Sequence, residues 1–213
     1  MNERVQGAGG RVDLLAAHLG LVDVDLNLAA ILGGARFQGS SPRFLPVHRV
    51  LADALEDPSF PDYDAILIDC APNFHMVTRT AIVASEYVLV PARPDYLSTL
   101  GLDFLRSRLS RLVEEYNAAS PNPISTSIVG VVYTMIQPAG AGILRAQKIS
   151  MERLGQIEIP EFRQTIRDNK TAFTEAGDRN VPAVLSPERT DAIESLRHEL
   201  QQLTSEFTAK TRI

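Results

Sequence analysis

The chain has 213 residues, a length suited to one sizeable domain. Apolar residues make up 45% and charged residues 22%, which excludes a disordered tail, a collagen-like rod and a simple coiled coil. Twenty-one Lys and Arg face 26 Asp and Glu, for a net charge of −5, so the balance argues against a strongly basic nucleic-acid binder and leaves room only for a local basic patch.

The first ten residues are polar and Gly-rich and read as a loose end. Val12–Ala17 predicts a short strand. Asp23 is placed to cap a helix that runs through Ala29-Ala30-Ile31-Leu32 and stops at Gly33-Gly34. Residues 35–43 carry Gly, Ser and Pro and read as a loop. The apolar spacing of Leu45, Val47, Val50, Leu51 and Leu55 predicts a helix over 44–55. Tyr63–Asp69 is a short apolar run ending in an acid, as expected of a parallel strand buried on both faces. Cys70-Ala71-Pro72-Asn73 breaks it, and a helix is expected over 75–85. Strands are expected over 87–91 and 128–135, with a long amphipathic helix over 98–117 between them. A helix over 143–154, a short strand over 162–166 and a last helix over 187–210 complete the reading. Strands alternating with helices imply a single α/β domain over 1–213, with a mostly parallel sheet covered by helices on both faces.

The chain has a single cysteine, Cys70, so an intrachain disulfide is excluded and a buried thiol is the expectation for it. The four histidines, His18, His48, His75 and His198, lack metal-ligand spacing and read as solvent-facing or structural. No signal-peptide pattern and no apolar run near the ~20 residues of a membrane helix is present, which makes the cytosol the expected compartment.

Asp69 is the most informative position. An acid at the C-terminal end of a parallel strand faces the crevice where α/β proteins bind ligands. Four apolar residues before it match the Walker B pattern, whose carboxylate holds Mg²⁺ directly or through water. The structural alternative is that Asp69 only caps the next element.

Tyr63-Asp64-Ala65-Ile66-Leu67-Ile68-Asp69-Cys70-Ala71-Pro72 resembles the Walker B strand and Pro-containing turn of the ParA/MinD-type partition ATPases, deviant-Walker members of the P-loop class. The resemblance continues through Thr80–Pro91, Pro94–Gly101, Ile128–Met135, Ile166–Asn169 and Ala176–Val184, in the family's order. It implies a P-loop NTPase-like fold, ATP and Mg²⁺ as cofactors, with Asp69 and Pro72 at the metal and nucleotide. It also implies that Thr134 and Met135 lie near the adenine base with Asp168 close by. Core filling is the alternative for Met135. Family members dimerise with ATP, bind DNA non-specifically and are stimulated by a ParB-like partner. A homodimer, DNA and such a partner are therefore implied, with Arg145, Lys148 and Arg153 as the candidate DNA contacts. A solvated helix face is the alternative for those three.

The family's first βα unit, with its Gly-Lys-Thr-Thr phosphate loop, has no counterpart. The three lysines, Lys148, Lys170 and Lys210, stand outside any Gly-rich loop, and Gly7-Ala8-Gly9-Gly10 leads into Arg11. Phosphoryl transfer is mostly positioning and charge neutralisation, which a Walker B acid alone cannot supply. The expectation is a fragment or degenerate relative with little ATP hydrolysis of its own. The alternative is a non-catalytic interaction module of the same fold, which binds a ParA-like partner or itself; an unrelated flavodoxin-like domain is a weaker third reading. Leu21-Val22-Asp23-Val24-Asp25 resembles the family's switch segment, but the helical spacing after it leaves Asp25 as a surface acid. In the last helix Ile193, Leu196, Leu200, Leu203 and Phe207 form a narrow stripe. The acids interspersed there favour packing onto the domain or a partner helix over membrane binding.

Overall fold

The computed structural model describes residues 11–33, 41–139, 142–170, 172–173, 182–185, 187 and 189–213. The Gly7–Gly10 cluster, most of the expected 35–43 loop and most of the Ala176–Val184 match lie outside them. The described residues fall into two compact units. One takes those within 17–89 and 100–129; the other takes those within 11–16, 90–99 and 130–212.

The first of these units is mainly helical. Its helices are α1 (Leu21–Ile31), α2 (Phe44–Leu55), α3 (Met76–Val83) and most of α4 (Tyr96–Ala119). Apolar residues of α2, α3 and α4 make one core, against which Leu28 and Ala29 of α1 pack partly buried. Phe44 and Val47 of α2, Met76, Ile82 and Val83 of α3, and Leu109, Leu112 and Tyr116 of α4 meet Leu32 there. Pro46 is tolerated because it falls in the first turn of α2. His48 is fully buried beside Phe44, with ring centroids 4.1 Å apart, and its Nδ1 donates to the Phe44 carbonyl at 2.7 Å. Burial, reinforced by the charge of Arg79, holds its pKa down to about 4, so the ring is neutral at physiological pH. Arg49 ties α2 to α4 by donating to Asp53 and Glu56 at 2.7 Å and to the Tyr116 hydroxyl at 3.3 Å.

The sheet strands begin in this unit and end in the other. β1 (Tyr87–Ala92) pairs with β2 (Ser127–Tyr133). Ser127 N–H donates to the Glu86 carbonyl at 3.2 Å and Thr134 N–H to that of Ala92 at 2.9 Å, so the two strands run parallel.

In the second unit the chain at 160–168 runs beside the end of β2 as a broken parallel strand. Bridges at Val131–Glu161 and Ile136–Arg167 enclose an irregular stretch, where a regular strand over 162–166 was expected. The cause is a bulge: Phe162 N–H reaches the Val131 carbonyl, but the next ladder bond comes only at Ile166 N–H to Tyr133. The stranded amides of Arg163 and Gln164 donate instead to the Glu206 carboxylate at 3.0–3.1 Å. Arg167 donates its N–H at 3.0 Å, and its guanidinium as well, to Glu199. Both acids belong to α6 (Asp191–Thr211), whose Ile193 and Leu196 are buried. The helix begins later than expected, because the Thr190 hydroxyl accepts from Ile193 N–H and caps it there. Gly130 is required by close approach: a Cβ there would stand 2.8 Å from the Phe162 ring. A short antiparallel pair, β3 (Pro138–Ala139) with β4 (Gly142–Ile143), precedes α5 (Arg145–Leu154).

Other expectations need correction. Tyr63–Asp69 is not a buried strand: no strand is assigned over 61–70, and Ile66 and Leu67 are 47% and 86% exposed. No backbone hydrogen bond forms at residues 64–70 among the described residues, so the run has strand composition without strand neighbours. Val12–Ala17 likewise has no regular element and is exposed. α1 starts after Gly20, with Asp23 in its first turn rather than at its cap, and Gly33 leaves it at φ 91°.

Candidate nucleotide site

Two separate groups of candidate residues lie one in each unit. In the helical unit, Asp69 is exposed and has no hydrogen-bond or ion-pair partner among the described residues. Cys70 is exposed too, contrary to the buried thiol expected; partial desolvation of its sulfur and then the charge of Asp69 push its pKa up, which disfavours the thiolate. Pro72 is exposed in the turn that follows, where Asn73 N–H donates to the Ala71 carbonyl at 2.7 Å.

The turn leads into α3, whose N-terminus is already supplied with acceptors. Val77 N–H donates to Asp25 Oδ1 at 2.9 Å, while His75 N–H and the Thr78 hydroxyl donate to Asn73 Oδ1 at 3.1 and 3.4 Å. Asp25 is therefore no idle surface acid. It caps a helix 52 residues further along, and its second oxygen lies 3.8 Å from His75 Nδ1.

In the other unit, Thr134, Met135 and Asp168 are brought together at the end of β2. Ile136 N–H donates to the Ile166 carbonyl at 3.1 Å and Asp168 N–H donates back to Ile136 at 2.9 Å. Met135 has the left-handed backbone, φ 55°, uncommon for a residue with a side chain. Its side chain is 51% exposed, which overturns core filling as the alternative. Gln147, which the sequence did not single out, holds this loop: its Nε2 donates to the Met135 carbonyl at 3.0 Å, and its Oε1 accepts from Gln137 N–H at 2.8 Å. No signal in the chain distinguishes Gln147 from any polar helix residue.

Arg145, Lys148 and Arg153 are exposed on α5 with no acid partner among the described residues. Helical geometry spreads them over about 140° of the circumference, with Glu152 between them.

The described residues fit the implied cofactor only in part. A magnesium ion shared with nucleotide phosphates takes one or two carboxylates from the protein, and the unpaired Asp69 suits that. At the start of α3 the Val77 amide is taken by Asp25 and the preceding His75 amide by Asn73, and no Gly-rich cradle for phosphates occurs among the described residues. No group of three or more His, Cys, Asp and Glu that could hold a metal occurs among the described residues. The described residues alone therefore do not fit the Mg²⁺–phosphate group as a whole. No described helix is long and apolar enough to cross a membrane.

A family model described as an AAA domain matches residues 3–120. The chromosome-partitioning ATPase Soj of Treponema pallidum is 30% identical over 93 residues, 44% of this chain and 32% of that protein. The cell division protein PomZ of Myxococcus xanthus is 26% identical over 176 residues, 82% of this chain and 47% of that protein. Among solved structures, an ATP complex of Cyanothece McdA superposes with a TM-score of 0.58 at 16% identity, covering 85% of this chain and 63% of McdA. The chain spans about a quarter to a half of the length of the curated relatives it matches.

Proposed function

From a chain that belongs to this AAA-domain family, as a relative of the ParA/MinD-type partition ATPases, we propose a part of a partition ATPase that keeps nucleotide-facing elements but lacks the phosphate-binding loop. Asp69 is the acid that would face Mg²⁺, beside Pro72. Thr134, Met135 and Asp168, steadied by Gln147, form the side facing the adenine base. The observation that carries this reading is Asp69 itself: an exposed carboxylate after an apolar run, with no partner among the described residues. Glu199, the buried acid among the described residues, is by contrast engaged with the fold.

Without lysine and backbone amides around the β- and γ-phosphates, the chain alone does not turn over ATP. Phosphate release with Mg²⁺-ATP at steady state is expected to match the buffer blank. Turnover that disappears in Asp69→Ala would overturn the reading. Arg145, Lys148 and Arg153 are the proposed contacts to DNA phosphates, formed in a dimer on which a ParB-like protein acts. Such contacts weaken steeply with added salt.

A further inference from the structure

We propose that Glu199 is a positioning residue for base recognition: from α6, through Arg167, it fixes the loop that carries Met135 and Asp168. The inference rests on the reading of that loop as the side facing the adenine base. The chain at 166–168 pairs with the end of β2. Ile166 N–H donates to the Tyr133 carbonyl at 2.9 Å and Asp168 N–H to that of Ile136 at 2.9 Å. Amides alternate in direction along an extended strand, so the Arg167 N–H points away from β2. Glu199 Oε2 accepts it at 3.0 Å, and Oε1 accepts from the guanidinium. One carboxylate thus closes the outer edge of the stretch whose inner edge holds Ile136. Asn169 adds a second tie to α6, with Nδ2 donating to the Ala192 carbonyl at 3.1 Å.

The loop needs this support. Met135 at φ 55° holds a backbone that persists only where its surroundings fix it from both sides. Gln147 supplies one side, at the Met135 carbonyl and the Gln137 amide. Ile136 supplies the other, because its N–H and C=O are both engaged by 166–168 and it is buried away from water. The carboxylate of Asp168 accepts nothing among the described residues, so the fold fixes its backbone and leaves its side chain to a ligand. Glu206 provides the contrast. It lies on the same helix and accepts the amides of Arg163 and Gln164, inside the bulge, with no bond to 166–168 among the described residues.

The test titrates the full chain with adenosine, read at its backbone amides by nuclear magnetic resonance, and measures amide exchange without ligand. The native chain is expected to bind saturably, with shifts at Met135 and Asp168. Glu199→Ala should weaken that affinity at least about fivefold and speed exchange at Ile136 and Asp168. Glu199→Gln keeps an acceptor for the Arg167 amide and should bind within about twofold of native. Glu206→Ala removes a comparable contact from the bulge and should also stay within about twofold, which separates positioning from a general loss of stability. Should Glu199→Ala unfold, Arg167→Ala decides. Its side chain is 47% exposed, and removing it cuts half of the contact, for an expected loss of about threefold. Native affinity in whichever of these two variants folds overturns the proposal and leaves the base-facing reading intact. So does an equal loss in Glu206→Ala. Adenosine that fails to bind the native chain overturns that reading, and the proposal with it.

Discussion

Two stretches of the helical unit that both carry apolar residues end in opposite environments. Leu109, Leu112 and Tyr116 of α4 are 5%, 1% and 0% exposed, whereas Ile66 and Leu67 stand out in solvent. Residues on α4 meet faces from α2 and α3, which lie within the same unit. The 64–69 run needs strands on its flanks and finds none among the described residues. Apolar pattern thus reports what a segment is able to bury; a partner decides whether it does.

Substitution measures that difference directly. Leu112→Ala should cost about 2–5 kcal/mol, because it opens a cavity in a closed core. Leu67→Ala should move stability by less than about 0.5 kcal/mol. Urea denaturation of both variants checks the pair, and a Leu67→Ala loss near that of Leu112→Ala would break the comparison.

His48 sharpens it by pH. Its folded pKa, about 4, lies below the ordinary 6.5, so between those values the unfolded chain binds more protons. The contribution of the neutral ring is complete above pH 6.5 and is lost as pH falls toward 4, by up to about 3 kcal/mol. Denaturation midpoints across that window should fall with acid in the native chain, and much less in His48→Gln.

Much of this contrast was legible and some was not. The helices over 44–55, 98–117 and 143–154 follow from spacing, because each builds its own hydrogen bonds and needs only a face to pack. Strands depend on neighbours remote in sequence, and there the reading was weakest: 63–69 and 12–17 carry strand residues without ladders. The bulge at 162–166 was illegible because the groups that satisfy it, Glu199 and Glu206, lie 32 and 42 residues away from the amides they accept and looked like solvated acids of an amphipathic helix. Among the candidate residues, Asp69 stands out in the sequence by its place after an apolar run, while Gln147 does not, since a helical glutamine carries no local mark of what it holds.

Glu199 is the third test of what partners contribute. It is 9% exposed and accepts from the backbone and the side chain of Arg167. Glu199→Ala leaves that amide and guanidinium without their acceptor and should cost about 1–3 kcal/mol. Thermal unfolding measures it, and a neutral result would mean that water replaces the carboxylate at the bulge.

The smallest expected effect separates two acids that resemble one another in sequence. Asp25 and Asp69 each follow an apolar residue, and both fall in stretches that look like conserved-type acid motifs of an ATPase. Asp25 accepts the Val77 amide, so Asp25→Ala removes a helix cap and should cost about 1 kcal/mol, with faster amide exchange at the start of α3. Asp69 accepts nothing among the described residues, so Asp69→Ala should leave the melting temperature unchanged within about 0.5 kcal/mol. A carboxylate that the fold does not use is available to a ligand. A clear loss of stability in Asp69→Ala would assign that acid to the scaffold and remove the main support for its place at the metal.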